Sequence, residues 1–159
     1  MRFEKNGEAA ENGARFDPAD RGFGGTILGS CAMPEELCIL VVDDFSTMRR
    51  VIRRILRDMG LENVVEADNG RKAWELLLER KFDIVICDWN MPRMSGLDLL
   101  EKVRADRSLA DLPFMMVTAE GKRNFILEAT RKGVTGYITK PFGAEELAGK
   151  LKGMLPGRI

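Results

Sequence analysis

The chain contains no histidine. That absence excludes phosphohistidine carriage, histidine general-base catalysis and the commonest zinc ligand. Cysteine is scarce too: Cys31, Cys38 and Cys87 form no CxxC pair. Two of the three fall in predicted buried strands, where cysteine acts as a small apolar residue, and a reducing cytoplasm is the expected compartment. Net charge is also missing, since Lys+Arg 25 balance Asp+Glu 25. No chain-wide field draws the protein to nucleic acid or to an anionic membrane, so any work done by charge is local. Finally, no run of about 18 apolar residues is present to insert in a membrane, and the N-terminal MRFEKNGEAAENGARF lacks the apolar stretch of a signal peptide.

What is present fits one soluble globular domain: 159 residues, 45% hydrophobic and 31% charged. Residues 1–36 differ from the rest. They carry Gly7, Gly13, Gly22, Gly24, Gly25 and Gly29, an acidic excess, and no sustained helical or strand period, so a disordered tail is expected there, dispensable for the chemistry of the remainder. Gly24 and Gly29 have the glycine spacing of a phosphate-binding loop, but Ser30 stands where lysine is required and no strand precedes the loop. The match is read as chance.

Residues 37–159 alternate strand and helix five times. A first helix is predicted over roughly Ser46 to Met59, with Met48, Val51, Ile52, Ile55, Leu56 and Met59 as its apolar stripe and Arg49, Arg50, Arg53, Arg54 and Arg57 outward. Gly60 stops it. A strand at Val64–Ala67 precedes a helix over Arg71–Arg80 whose Ala73, Trp74, Leu77 and Leu78 are expected to face the sheet. Then follow a strand at Ile84–Cys87, a helix over Leu97–Ala105, a strand at Phe114–Val117, a helix between Lys122 and Lys132, a strand at Gly136–Thr139, and a closing helix with Ala144, Leu147, Ala148, Leu151 and Leu155 on one side. Short, unalternating, β-branched runs between helices are strands of a parallel sheet buried on both faces, and right-handed crossovers give an α/β, doubly wound, three-layer sandwich.

Four of these runs end in polar residues suited to phosphoryl chemistry: Asp43-Asp44, Asp88, Thr118 and Lys140-Pro141. In open parallel sheets, ligands bind beyond the strand carboxyl ends, so these groups are expected to share one crevice. Crowded carboxylates call for a cation, and Mg²⁺, which takes oxygen ligands from one or two carboxylates plus substrate phosphate, is the natural one. Asp88 is then the nucleophile, Lys140 a second positive charge for the phosphoryl oxygens, and Thr118 a hydrogen-bond donor. Taken singly, each residue has a bland alternative: Asp44 as cap of the first helix, Asp88 as a turn residue, Thr118 as a β-branched strand residue, Lys140 as a solvated charge.

The strings VVDDFSTMRR (41–50), DWNMP (88–92), MVTAE (116–120) and GYITKPF (136–142) resemble response-regulator receiver domains, specifically those of chemotaxis regulators. The resemblance implies a flavodoxin-like sheet of five parallel strands in order 2-1-3-4-5 with five helices. It further implies that Asp88 is the phosphate acceptor and that Asp43, Asp44, Asp88 and the backbone carbonyl of Asn90 organise Mg²⁺. Lys140 and Thr118 would contact the phosphoryl group, and the peptide before Pro141 would be cis. Tyr137 would be a rotameric switch, while Asn90 and Glu120 tune hydrolysis. Arg123, Ile126, Tyr137 and Lys150 would form the partner face. Arg93 and Ser95 vary the loop after Met91-Pro92, and the segment before Leu37 has no counterpart in the compact regulators.

The expected function is a single-domain response regulator, a monomer in the cytoplasm, phosphorylated by a histidine kinase. It would then bind the flagellar motor switch, with a phosphatase as a further candidate partner. Catalysis would be limited to its own aspartyl phosphorylation and dephosphorylation. With only a few residues after Leu155, output is expected by binding. A phosphate sink or a regulator of a non-flagellar partner is the alternative. A true Asp-nucleophile phosphatase would use a DxD pair with the second Asp as general acid, and Asn90 occupies that place.

Overall fold

A computed structural model describes residues 36–119 and 123–159. Its elements in chain order are β1 (Ile39–Val42), α1 (Ser46–Asp58), β2 (Val64–Ala67), α2 (Gly70–Glu79), β3 (Ile84–Asp88), α3 (Gly96–Ala105), β4 (Phe114–Thr118), α4 (Arg123–Arg131), β5 (Gly136–Thr139) and α5 (Ala144–Met154). All strand pairs are parallel and the spatial order is β2-β1-β3-β4-β5. The doubly wound sheet expected from the sequence is present; β1 starts at Ile39, one residue into the apolar run Cys38–Val42, β3 and β4 each extend by one residue, and several helices shift by a residue at their ends.

The strands lack a polar face because each side of the sheet is covered. Leu40, Val42, Val85, Cys87, Phe114 and Met116 point to α2, α3 and α4, where Ala73, Leu77, Leu99, Leu100, Val103 and Ala129 meet them. The alternate residues Ile39, Val41, Ile84, Ile86, Met115, Val117 and Ile138 point to α1 and α5, meeting Ile52, Leu56, Leu147 and Leu151. Period-2 alternation is therefore between two apolar layers, which is why the runs read as continuously hydrophobic. Cys38 and Cys87 are both buried. Among the described residues, no helix is long and apolar enough to cross a membrane.

Three local expectations are corrected. Leu78 does not face the sheet: it is 59% exposed. Ala73 and Leu77, four residues apart, carry the buried face of α2, while Trp74, one residue round the helix, is half-buried beneath the Lys102 ammonium at 5.1 Å. Val51 is more exposed than its place in the α1 stripe implied, at 43%, because the helix turns Ile52 and Leu56 inward. Arg49, expected outward, is half-buried, drawn down onto Glu66 at the end of β2 with Nε–Oε1 at 2.9 Å. The calls on residues 1–35, including the glycine-spaced loop and Cys31, and on Glu120 lie outside the described residues.

Candidate functional site

The crevice is built from the last residues of the strands. β1 ends at Val42, but the pairing persists one step further, as Asp43 donates its N–H to the Ala67 carbonyl at 3.1 Å. The chain then turns sharply, with Asp43 Oδ1 accepting from the Phe45 N–H at 2.9 Å, and α1 starts at Ser46. This side-chain-to-backbone bond two residues on is what makes Asp a turn former. Asp44 does not cap α1. The N-cap is Phe45, whose side chain makes no capping bond. Arg49 reinforces the turn, donating to the Asp43 carbonyl at 2.6 Å and to Glu66. Arg53 reaches the same carboxylate at 2.7 Å. Burial alone would push Glu66 up, but the two guanidinia outweigh it and hold its carboxyl below the usual range.

Asp88 closes β3, in register with Val117. The next residue is fixed from both sides: the Trp89 N–H donates to the Val117 carbonyl at 2.8 Å, and its carbonyl accepts from the Gly96 N–H at 2.9 Å. Gly96 is required there. A Cβ at that position would overlap the Asp88 carbonyl oxygen and lie 2.8 Å from Met116 Sδ, so α3 can begin against β3 only with glycine. A capping box pins that start, Asp98 N–H to Ser95 Oγ and Ser95 N–H to Asp98 Oδ2, both at 3.1 Å. Sequence reading passed over Gly96 as part of a loop. The Ser95-x-x-Asp98 spacing ahead of an apolar run was the signal that could have found it.

Lys140, just past β5, donates its backbone N–H to the Thr118 carbonyl at 2.7 Å, and the Lys140–Pro141 peptide is cis. Its ammonium lies 3.1 Å from Asp88 Oδ1 and 3.4 Å from Asp43 Oδ2. Among the described residues this ammonium pairs with two of three clustered carboxylates, since one oxygen from each of Asp43, Asp44 and Asp88 lies within 4.8 Å of the others. Burial, then the charges of Asp43 and Asp44, raise the Asp88 carboxyl above its ordinary value, with Lys140 opposing them. Burial draws the Lys140 ammonium down, but Asp88 and Asp43 prevail and hold it above its ordinary value. The neighbouring Cys87 thiol is pushed well up, first by complete burial and then by the same two carboxylates, so it is no nucleophile.

Among the described residues, Asp44 Oδ1 is buried with no hydrogen-bond partner, an arrangement that ordinarily costs about 1–3 kcal/mol. An orphaned carboxylate oxygen beside two others, with charge left over after Lys140, is the donor set of a hard divalent cation. The residues fit such an ion.

The remaining candidates are placed as follows. Thr118 is buried at the end of β4. Asn90 is exposed two residues beyond Asp88. Tyr137 is half-buried in β5, with the Lys150 ammonium 5.0 Å from its ring centroid. Ile126 is half-buried and Arg123 exposed on α4. Tyr137 and Ile126 share a small cavity with Trp89, Met116, Thr118, Phe125 and Ala129. A larger groove of about 590 Å³ lies elsewhere, between Phe82, Leu109 and Leu155 near the strand amino ends, and holds none of the crevice carboxylates. Size does not mark the site; convergent chemistry does.

Comparison with known proteins agrees with this geometry. The family described as Response regulator receiver domain matches residues 39–152. The chain is similar to "Chemotaxis protein CheY" of Pseudomonas aeruginosa, 54% identical over 114 residues, covering 72% of this chain and 92% of that relative. It is also similar to "Chemotaxis protein CheY-3" of Vibrio cholerae serotype O1, 55% identical over 113 residues, covering 71% of this chain and 87% of the relative. Among solved structures, Vibrio cholerae CheY4 superposes with a TM-score of 0.70 at 33% identity, covering 74% of this chain and 98% of that one.

Proposed function

The chain belongs to the response regulator receiver domain family as a CheY-like regulator, and from that premise we propose that it accepts a phosphoryl group on Asp88 from a histidine kinase in a Mg²⁺-dependent reaction and then binds the flagellar motor switch. The observation that carries this reading is the position of Lys140 Nζ between Asp88 and Asp43 while Asp44 Oδ1 has no hydrogen-bond partner among the described residues. In the transfer, an Asp88 carboxylate oxygen forms the bond to phosphorus and the bond from phosphorus to the donor's imidazole nitrogen breaks, the imidazole leaving with the electron pair. The donor histidine must belong to another molecule, because this chain has none.

Asp43, Asp44, Asp88 and the Asn90 carbonyl would hold Mg²⁺, which when bound supplies positive charge to the phosphoryl oxygens. The chain's own groups do the rest. Burial strengthens the attraction between Lys140 and the incoming phosphoryl oxygens, and Thr118 at the end of β4 offers them a hydroxyl. Asn90 in place of a second Asp leaves no general acid for a phosphatase. Its side chain and that of Glu120 are proposed to tune hydrolysis of the acyl phosphate.

Output is proposed at the face of Arg123, Ile126, Tyr137 and Lys150, with Tyr137 turning inward as Thr118 is drawn to the phosphoryl group. By linkage, a partner that prefers the activated packing also promotes phosphorylation. The test is affinity for a motor-switch peptide with and without beryllofluoride, in the unmutated protein and in Ile126→Asp. A rise of about 5–150-fold on activation, lost in Ile126→Asp, is expected. A change below about threefold would replace the flagellar output with a phosphate sink or a different partner.

A further inference from the structure

We propose that Phe125 is a positioning residue that links the acceptor Asp88 to α4 through the indole of Trp89, a route separate from Thr118 and Tyr137; the proposal rests on Asp88 being the phosphorylated residue. Trp89 immediately follows Asp88, and its peptide groups are held by Val117 on β4 and Gly96 at the start of α3. Its backbone therefore moves with the strand that ends in Asp88. The indole ring is buried and lies 5.2 Å, centroid to centroid, from the Phe125 ring, tilted by 49°, a geometry favoured by the aromatic quadrupoles.

On the receiving side, α4 is the most lightly anchored helix. It buries only Ala129 completely, whereas α3 buries Gly96, Leu99, Leu100 and Val103. A helix held by few buried groups is drawn from the low-stability end of a fold, so a single aromatic contact in its first turn weighs heavily on where it sits. Phe125 shares a cavity of only about 10 Å³ with Trp89, Met116, Thr118, Ile126, Ala129 and Tyr137. A space that small is at the limit for one water, so a displaced wall pushes on its neighbours instead of drawing in solvent. Movement at Asp88 thus reaches the face carrying Arg123 and Ile126 through two ring systems.

The test compares Phe125→Leu, which removes the ring but keeps apolar bulk, with Phe125→Tyr, which keeps the ring. Two readouts are taken. Labelling of Asp88 by acetyl phosphate with Mg²⁺ is measured by intact mass, and backbone amide exchange over residues 123–131 is measured with and without beryllofluoride and Mg²⁺. In the unmutated protein, exchange in α4 should change by about three- to tenfold on activation. Phe125→Leu should lose more than half of that change on a logarithmic scale while labelling stays within about twofold, and Phe125→Tyr should restore it. A full exchange response in Phe125→Leu with normal labelling would overturn the proposal alone. Absence of labelling in the unmutated protein would overturn the acceptor assignment and this proposal with it. Should Phe125→Leu fail to fold, Trp89→Leu removes the ring from the other side of the same contact. A full α4 response in that variant also counts against the link.

Discussion

The two ends of the parallel sheet carry the same kinds of side chain in opposite states. At the strand amino ends Asp83 and Arg104 are each held by several partners. Asp83 accepts from the Cys38 N–H at 2.7 Å and pairs with Arg158 at 3.0 Å. Arg104 donates to the carbonyls of Gly133, Ala110 and Leu112 at 2.8, 3.1 and 2.8 Å and to Thr135 Oγ1 at 3.2 Å, tying together the loops that lead into β4 and β5. At the carboxyl ends three carboxylates cluster, the Lys140 ammonium reaches two of them, and among the described residues Asp44 Oδ1 has no hydrogen-bond partner. The first end is arranged for stability. The second is left under-compensated, which suits a place that waits for a cation and a phosphoryl group. Residues that break the local rules mark the function.

Removing the cation should show the contrast at its largest. With EDTA, acetyl phosphate labelling should vanish, and in Asp44→Asn at millimolar Mg²⁺ it should slow by at least about tenfold, since the proposed direct ligand would matter no less than outer groups that orient ligands. Labelling that proceeds equally with EDTA would erase the distinction between the two ends. Next in size is the amino end. Arg104→Met should lower stability by about 2–3 kcal/mol by leaving several carbonyls without donors, seen as a drop of several degrees in melting temperature, yet labelling per folded molecule should be unchanged.

Neutralising the crevice should do the reverse. Asp44→Asn should raise the stability of the metal-free fold by about 1 kcal/mol and remove most of the stabilisation given by Mg²⁺. Asp88→Asn should also stabilise the metal-free fold at neutral pH. Because the fold holds the Asp88 carboxyl above its ordinary value, chiefly by burial, its contribution is fully present below the unfolded value and is lost as pH rises through the folded one. The advantage of Asp88→Asn should therefore fade as pH falls through the carboxylate range, as thermal melts at stepped pH would show. The smallest effect belongs to Glu66→Gln, whose partners Arg49 and Arg53 hold a partly exposed carboxylate. About 0.5 kcal/mol is expected, present at neutral pH and lost on acidification, because this group is held below its ordinary value.

Much of this was readable from the chain, because strand runs and strand-end polar residues are local in sequence. Asp43, Asp44, Asp88, Thr118 and Lys140 each terminate a run, and parallel topology alone sends run ends to one edge. What could not be read depended on pairs distant in sequence. Arg49 looks like any outward arginine until β2 brings Glu66 beneath it. Arg104 sits in a basic last turn, and only the folded loops show which carbonyls it serves. Leu78 was misassigned because an apolar cluster on a short helix is wider than the face its sheet can cover. Phe125 carries no distinguishing signal in the sequence, since its contact with Trp89 exists only once the fold brings the two rings together.

The most direct test is the intact mass of the protein after acetyl phosphate and Mg²⁺, in the unmutated chain and in Asp88→Asn, before and after hydroxylamine. One hydroxylamine-labile phosphoryl group on the unmutated protein and none on Asp88→Asn is the predicted result. An equal adduct on Asp88→Asn would contradict the assignment of the crevice.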